Sequence, residues 1–208
     1  MPVILVVCTA NVCRSPLAAA ILTVGLRSAY PGSLTVLSAG IVAANDEDVC
    51  SAASRVLAGR RVPTHLAERS RAGMLDVGLV ETADLIFTAD ISQRAAVAQL
   101  SSAARSRTFT LREAAFLLQG AARHGEFRTE PATFADAVDR LNTMRASIVM
   151  PASGRGRRFG GSGKRRNSLD ISDGHGMGPK SHSDVVHSVA AVSETLSRML
   201  LEGGLVPA

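Results

Sequence analysis

The sequence predicts an α/β fold, a three-layer sandwich in which helices flank a central four-stranded parallel sheet. Two observations lead to this class. Short apolar runs alternate along the chain with longer segments of helical character, and this alternation is typical of strand–helix–strand units. The first run, residues 3–7, is wholly apolar and rich in β-branched side chains, as expected for a strand buried on both faces of a parallel sheet.

The start of the chain is the clearest such unit. A polar turn follows the first strand, Ser15 is the predicted N-cap of the first helix, and Pro16 is its predicted first residue. That helix is predicted to end near a Pro-Gly pair at residues 31–32, and a second strand follows at 34–37. Two parallel strands joined by a helix require a right-handed crossover.

The same alternation continues to the C-terminus and predicts a single domain over residues 1–208. Two further strands are predicted at residues 85–88 and 107–110. Further helices are predicted at residues 46–58, 92–100, 111–119, 134–144 and 183–201. Residues 151–168 are rich in Gly, Arg and Ser, and this composition predicts a flexible insertion within the domain.

Composition argues against several classes of protein. Three cysteines, an odd number, do not suit a secreted disulfide scaffold and predict a reducing, cytoplasmic location. No run of about 18 apolar residues indicates a membrane span, and the apolar start lacks the basic leader of a signal peptide. The net charge of +5 suits an anionic substrate. Aromatic residues make up only 3%, so a platform for nucleic acid is not expected. The oligomeric state stays open.

The turn between the first strand and the first helix, CTANVCRSP at residues 8–16, suits an anion. A tight turn before a helix directs backbone N–H groups and the positive end of the helix dipole at one point. Arg14 adds a planar cation that can bind two phosphate oxygens. Cys8 stands at the carboxyl end of the strand, where ligands bind in open parallel sheets. In such positive surroundings a thiol ionises readily and becomes a nucleophile toward phosphorus.

This run resembles the phosphate-binding loop of the low-molecular-weight protein tyrosine phosphatases, which is normally Cys-x-Gly-Asn-x-Cys-Arg-Ser-Pro. The resemblance continues in Ser-Ala-Gly at residues 38–40, in His65, in LIFTAD at 85–90 and in DISDGHG at 170–176. It implies a phosphomonoester hydrolase that acts through a cysteinyl-phosphate and needs neither a cofactor nor a metal. The substrate would be a phosphorylated protein or a small phosphomonoester.

The resemblance also implies the roles of the site residues. Cys8 would attack phosphorus, Arg14 would bind the equatorial phosphoryl oxygens, and Asp173 would serve as general acid and then as general base. Ser15 would donate its hydroxyl hydrogen to the Cys8 sulfur. The phosphate would lie against the loop residues Thr9, Ala10, Asn11, Val12, Cys13, Arg14 and Ser15.

Supporting residues follow from the same resemblance. Asn11 would brace the loop by hydrogen bonds, and Ser38 and His65 would hold Asn11 in turn. Asp170 is a second carboxylate near the predicted acid. Asp173 is preferred over it because Asp173 aligns with the second Asp of the family's Asp-Ile-x-Asp run.

Other positions in and beyond the loop leave questions open. In this family the second loop cysteine, here Cys13, can form a reversible disulfide with the nucleophile Cys8. Cys50 has no partner in the sequence pattern and is interpreted as structural. Ala10 replaces the usual Gly, which would strain the loop if that position had a positive φ. Gly174 replaces the Pro that usually follows the acid, and the aromatic side chains that usually flank phosphotyrosine are missing.

Two other functions stay open. A thiol-dependent arsenate reductase shares the loop and the fold, but it needs further relay cysteines, and beyond the loop the chain has only Cys50. A catalytically weakened phosphate-binding relative would fit Ala10 and the altered segment around the predicted acid, residues 170–175, called the acid loop below. The intact Cys8 and Arg14 argue against this alternative. Val12 resembles the tyrosine-type enzymes, because bacterial relatives that act on phosphoarginine carry Thr at this position.

Overall fold

The predicted α/β class is confirmed. The computed structural model describes residues 1–27, 34–42, 47–124, 133–148, 169–175 and 178–202. The Gly-, Arg- and Ser-rich insertion predicted at 151–168 lies outside these ranges, so its flexibility stays a prediction. Within them, no helix has the length and apolar content to cross a membrane.

Five parallel strands form the central sheet of the described chain, in the order β3-β2-β1-β4-β5. The strands are β1 (Val3–Cys8), β2 (Thr35–Gly40), β3 (Arg71–Met74), β4 (Leu85–Thr88) and β5 (Thr108–Thr110). The predicted number of four was wrong, because β3 was missed. Its four residues are half-buried or exposed at the edge of the sheet, so it lacks the apolar run by which the buried strands are found.

Helices cover both faces of the sheet. They are α1 (Arg14–Arg27), α2 (Ser51–Gly59), α3 (His65–Arg69), α4 (Val77–Thr82), α5 (Ile91–Leu100), α6 (Leu111–His124), α7 (Phe134–Ser147) and α8 (Pro179–Glu202). The short helices α3 and α4 were not predicted. Because α1 begins at Arg14, Ser15 lies inside its first turn and not at the predicted N-cap. A proline at the first position suits the observed start of α8.

The central strand β1 divides the interior into two hydrophobic cores. Successive strand residues point to opposite faces, so Ile4 and Val6 pack with α1, α6 and α8. Leu5 and Val7 pack on the other side, with residues of α4 and α5. All four side chains are fully buried, which is why this stretch contains no polar residue.

The topology places a crevice at the end of β1. The chain passes from β1 to β2 and β3 on one side of the sheet, and it then continues to β4 and β5 on the other. The connections after β1 therefore diverge at its carboxyl end, which is where open α/β sheets bind ligands. Cys8 is the last residue of β1.

Candidate active site

The loop between β1 and α1 packs directly against the end of β2. The N–H of Ile41 donates to the carbonyl of Cys8 at 3.1 Å. A Cβ atom on Gly40 would lie 2.8 Å from both the Asn11 nitrogen and the Thr9 carbonyl oxygen. Only glycine therefore lets the loop approach the strand this closely, which gives the Ser-Ala-Gly run a physical reason.

Asn11 holds the loop from inside. It is fully buried and has a φ of 56°, a left-handed conformation that Asn tolerates better than most residues. Its side-chain nitrogen, Nδ2, donates to the backbone carbonyls of Ser38 at 3.2 Å and Gly73 at 3.5 Å. Among the described residues other than glycine, positive φ occurs at Asn11 and Arg61. The strain considered for Ala10 is thus absent, because Ala10 is not in a left-handed conformation.

The nucleophile candidate lies at the base of the loop. Cys8 is 2% exposed, and its sulfur is 3.0 Å from the hydroxyl oxygen of Ser15. That hydroxyl also lies 3.0 Å from Asn11 Oδ1 and 3.2 Å from the Ala39 carbonyl oxygen. Ser15 can therefore donate to the sulfur when the sulfur is a thiolate, and to an oxygen when the sulfur carries a proton.

Arg14, the first residue of α1, is 3% exposed. Its Nη2 donates to Asp173 Oδ2 at 2.7 Å and to Thr9 Oγ1 at 2.9 Å. Its Nη1 donates to the Ile171 carbonyl at 2.9 Å and approaches Asp90 Oδ2 at 3.5 Å. The Asp173 side chain is 45% exposed and that of Asp90 is 21% exposed. An entering phosphate can therefore displace Asp173 from Arg14 more easily than Asp90.

The two acidic residues before α8 have different surroundings. Asp170 accepts a hydrogen bond from the N–H of Ile91 at 3.0 Å and so holds the start of α5. Asp173 contacts Arg14 through one oxygen and accepts from the His175 N–H through the other, at 3.0 Å. The structure thus brings Asp173 to the loop between β1 and α1, called the phosphate loop below. Asp170 instead contacts the start of α5.

His65 does not join the site in the structure. It is exposed at the start of α3, and Asn11 makes its hydrogen bonds elsewhere. Ser38 does hold Asn11, but through its backbone carbonyl. The Ser38 hydroxyl lies 3.3 Å from that of Ser70, which follows α3, so Ser70 makes the contact from this region of the chain.

Sequence reasoning missed a polar pair behind the loop. Asp90 caps α5 and forms a capping box with Gln93. The fully buried Gln93 also donates to Thr9 Oγ1 at 3.2 Å. The spacing Asp-x-x-Gln directly after a buried strand is the signal that marks such a helix start.

Cys50 has neighbours that its sequence position did not suggest. It lies with Cys13, His175 and His182 in a group whose sulfur and ring nitrogen atoms are all within 4.8 Å of one another. A hydrogen bond from Cys13 lowers the pKa of the Cys50 thiol to about 5. The same hydrogen bond and burial raise the pKa of Cys13.

Known proteins are similar to this chain in sequence. The sequence profile of the family described as low molecular weight phosphotyrosine protein phosphatase matches residues 3–142. A probable low molecular weight protein-tyrosine-phosphatase, EpsP of Ralstonia nicotianae, is 36% identical over 110 residues, which make up 53% of this chain and 70% of the relative.

Solved structures share the fold. The YwlE arginine phosphatase from Geobacillus stearothermophilus is 21% identical with a TM-score of 0.60, covering 97% of this chain and 94% of its own. The tyrosine phosphatase Wzb from Escherichia coli K30, in complex with sulphate, is 18% identical with a TM-score of 0.58, covering 95% and 97%. The profile match spans more than half of the chain. The chain therefore belongs to the low-molecular-weight phosphotyrosine protein phosphatase family, a class of phosphoric monoester hydrolases.

Proposed function

We propose that the chain hydrolyses phosphate monoesters of the protein-phosphotyrosine type through a cysteinyl-phosphate on Cys8. The observation that carries the proposal is the arrangement of one thiol and one guanidinium around the loop. The Cys8 sulfur has the Ser15 hydroxyl at 3.0 Å, and the adjacent Arg14 holds Asp173 at 2.7 Å. The proposal assigns these groups the roles of nucleophile, anion-binding cation and proton donor.

In the first step, the substrate phosphate replaces the Asp173 carboxylate on Arg14. The Cys8 thiolate attacks phosphorus, and the bond from phosphorus to the leaving oxygen breaks. Once it has left Arg14, the Asp173 carboxylate takes up a proton from solvent, and it gives this proton to the leaving oxygen. Arg14 and the loop N–H groups stabilise the charge on the equatorial oxygens.

In the second step, water attacks the phosphorus of the cysteinyl-phosphate. The Asp173 carboxylate takes a proton from this water, and the phosphorus–sulfur bond breaks. Ser15 donates its hydroxyl hydrogen to the departing sulfur, which makes thiolate a better leaving group. Phosphate is released, and the proton that Asp173 took from water leaves to solvent before Asp173 returns to Arg14 as a carboxylate.

The substrate class is the finer part of the proposal. The relative EpsP is described as a tyrosine phosphatase, and Val12 lacks the hydroxyl found in relatives that act on phosphoarginine. YwlE, an arginine phosphatase, is similar at the level of the fold. A phosphotyrosine protein is therefore the favoured partner, and the cytoplasmic location expected from the cysteines stays a prediction.

The test compares hydrolysis of p-nitrophenyl phosphate, a phosphotyrosine peptide and a phosphoarginine peptide by the wild type and three variants. Cys8→Ser and Arg14→Ala are expected to lose at least about a thousandfold in kcat/KM. Asp173→Asn is expected to lose about 100-fold or more, because proton transfer contributes on that order.

Asp170→Asn is the matched control, since it removes a nearby carboxylate that contacts α5 and not Arg14. It is expected to keep most activity. Greater damage from Asp170→Asn than from Asp173→Asn would overturn the assignment of the acid. A Cys8→Ser variant with normal turnover would overturn the mechanism, and faster turnover of phosphoarginine than of phosphotyrosine would overturn the substrate class.

A further inference from the structure

Four side chains from distant parts of the chain meet beside the phosphate loop. Cys13 lies on that loop, Cys50 precedes α2, His175 follows the acid Asp173, and His182 lies in the first turn of α8. Their sulfur and ring nitrogen atoms all lie within 4.8 Å of one another. We propose that these four residues bind a divalent transition metal ion of the zinc type, a property that goes beyond the phosphatase chemistry.

The two sulfur–nitrogen distances at His182 fit tetrahedral coordination. With zinc–sulfur bonds of about 2.3 Å and zinc–nitrogen bonds of about 2.0–2.1 Å, sulfur and nitrogen ligands are about 3.6 Å apart. The Nε2 atom of His182 lies 3.3 Å from Cys13 Sγ and 3.8 Å from Cys50 Sγ, on either side of this value. The ring of His175 has its centroid 4.5 Å from that of His182 and is tilted by 49°. Two thiolates and two imidazoles are a common ligand set for zinc.

Backbone contacts hold these ligands near one another. The N–H of Cys50 donates to the Val12 carbonyl at 2.8 Å, and its sulfur accepts from the Ala53 N–H at 3.4 Å. A Cβ atom on Gly174 would lie 2.9 Å from Cδ2 and 3.0 Å from Cα of His182. Glycine is thus needed for the acid loop to approach α8, which explains why Gly174 stands where the family usually has Pro.

The cluster can be reached from solvent, and its residues come from the phosphate loop, the acid loop, α8 and the segment before α2. A groove of about 760 Å³ between α2, the acid loop and α8 has both histidines in its wall. Coordination requires both sulfurs as thiolates, so any thiol protons leave to solvent as the metal binds. Because Cys13 directly precedes Arg14, and His175 lies close to Asp173 in sequence, a bound ion would link the phosphate loop to the acid loop.

The test uses the full chain carrying Cys8→Ser, so that the nucleophile cannot act as a ligand, with Co²⁺ as the probe under reducing conditions. We expect one Co²⁺ per chain, with the visible bands of tetrahedral cobalt and a thiolate-to-cobalt charge-transfer band. Cys50→Ser and His182→Ala are each expected to weaken binding by more than about 100-fold, beyond the effect of losing an outer hydrogen-bond partner. His187→Ala, in the same groove and helix but outside the cluster, is expected to bind normally.

Gly174→Ala retains all four ligands but adds a Cβ atom that would clash with His182. It is expected to weaken the binding of Co²⁺ about 10-fold or more. Circular dichroism and melting temperature of the metal-free variants establish that they are folded. Absence of cobalt binding, absence of the thiolate band, or binding that survives both Cys50→Ser and His182→Ala would overturn the proposal. A Cys13–Cys50 disulfide that resists reduction and excludes the metal, detected by peptide mapping, would also overturn it.

Discussion

The hydroxyl of Ser15 has three neighbours within hydrogen-bond distance and a single hydrogen to donate. The sulfur of Cys8 and the Oδ1 atom of Asn11 are both 3.0 Å away, and the Ala39 carbonyl oxygen is 3.2 Å away. A thiolate is the strongest of these acceptors because it carries a full charge. An ionised Cys8 sulfur would therefore take the Ser15 hydrogen bond away from the two oxygens.

The ion pair of Asp173 with Arg14 leads to a prediction about inhibitors. The carboxylate occupies the guanidinium that an oxyanion would bind, so Asp173→Asn is expected to tighten the binding of inorganic phosphate even as hydrolysis slows. A partly exposed ion pair is worth about 0.2–1 kcal/mol, which corresponds to a gain of up to about fivefold. Isothermal titration calorimetry with phosphate at constant ionic strength would measure it.

Asp139→Asn provides the control for net charge, because Asp139 is exposed on α7 and its substitution removes one negative charge, as Asp173→Asn does. Its affinity for phosphate is expected to equal that of the wild type. Equal or weaker phosphate binding by Asp173→Asn would contradict the competition between carboxylate and phosphate.

At the scale of secondary-structure elements, the site is assembled from the ends of neighbours. The end of β2 supports the loop from one side through Gly40, and the start of α5 supports it from the other through Gln93. The acid loop is attached to the same helix start, because Asp170 accepts from Ile91 and the Ile171 N–H donates to Ala89 at 2.8 Å. A displacement of α5 would thus move the segment that carries Asp173 and the loop between β1 and α1 together.

The contact between Gly40 and the loop gives a prediction for Gly40→Ala. The added Cβ would clash with backbone atoms at 2.8 Å, which cannot rotate away as a side chain can. Overpacking of this kind costs about 1–3 kcal/mol, and we expect most phosphatase activity to be lost with the loop shape. Urea denaturation and p-nitrophenyl phosphate turnover would measure the two effects.

Gly59→Ala is the matched substitution, because a Cβ at Gly59 would have no atom within 4 Å. It is expected to leave activity unchanged and to raise stability by up to about 1 kcal/mol. A Gly40→Ala variant as stable and active as Gly59→Ala would show that the loop can move away from β2 without loss.

Across the whole molecule, a buried carboxylate joins helices from both faces of the sheet. Glu113 of α6 is 4% exposed and pairs with Arg94 of α5 at 3.0 Å and Arg145 of α7 at 2.9 Å. It also accepts from the N–H of Thr110, the last residue of β5, at 3.0 Å. The guanidinium of Arg145 lies 3.8 Å from the centroid of the Phe109 ring, and burial lowers the pKa of Arg145.

Removing this carboxylate should destabilise the protein far more than removing a surface charge. Glu113→Ala leaves the half-buried guanidinium groups of Arg94 and Arg145 without their carboxylate partner. We therefore expect a loss of about 3 kcal/mol in the free energy of unfolding, at the lower end of the range for buried pairs. Glu194→Ala breaks the exposed pair with Arg60 and is expected to cost about 0–1 kcal/mol. Urea denaturation of both variants gives the comparison, and similar losses would contradict a structural role for Glu113.

The sequence allowed the local parts of this structure to be predicted, and the non-local parts were largely beyond it. The strand β1 and the phosphate loop were predicted because their signals lie in adjacent residues. Edge strand β3 was missed for want of a buried apolar run. The contact of Arg14 with Asp173 joins residues 159 positions apart. The family resemblance suggested that both residues belong to one site, but no local sequence signal predicted that they would be in contact. The approach of His182 to Cys13 had no sequence signal at all, because it depends on how α8 packs.

The double-sided packing of β1 has a consequence for how the protein tolerates mutation. Ile4 and Val6 belong to one core and Leu5 and Val7 to the other, yet all four share the backbone that terminates in Cys8. A change of volume in either layer is transmitted along this common strand and displaces the same sulfur. The two cores are therefore coupled through β1, because a volume change in one core that the other does not accommodate would displace the Cys8 sulfur.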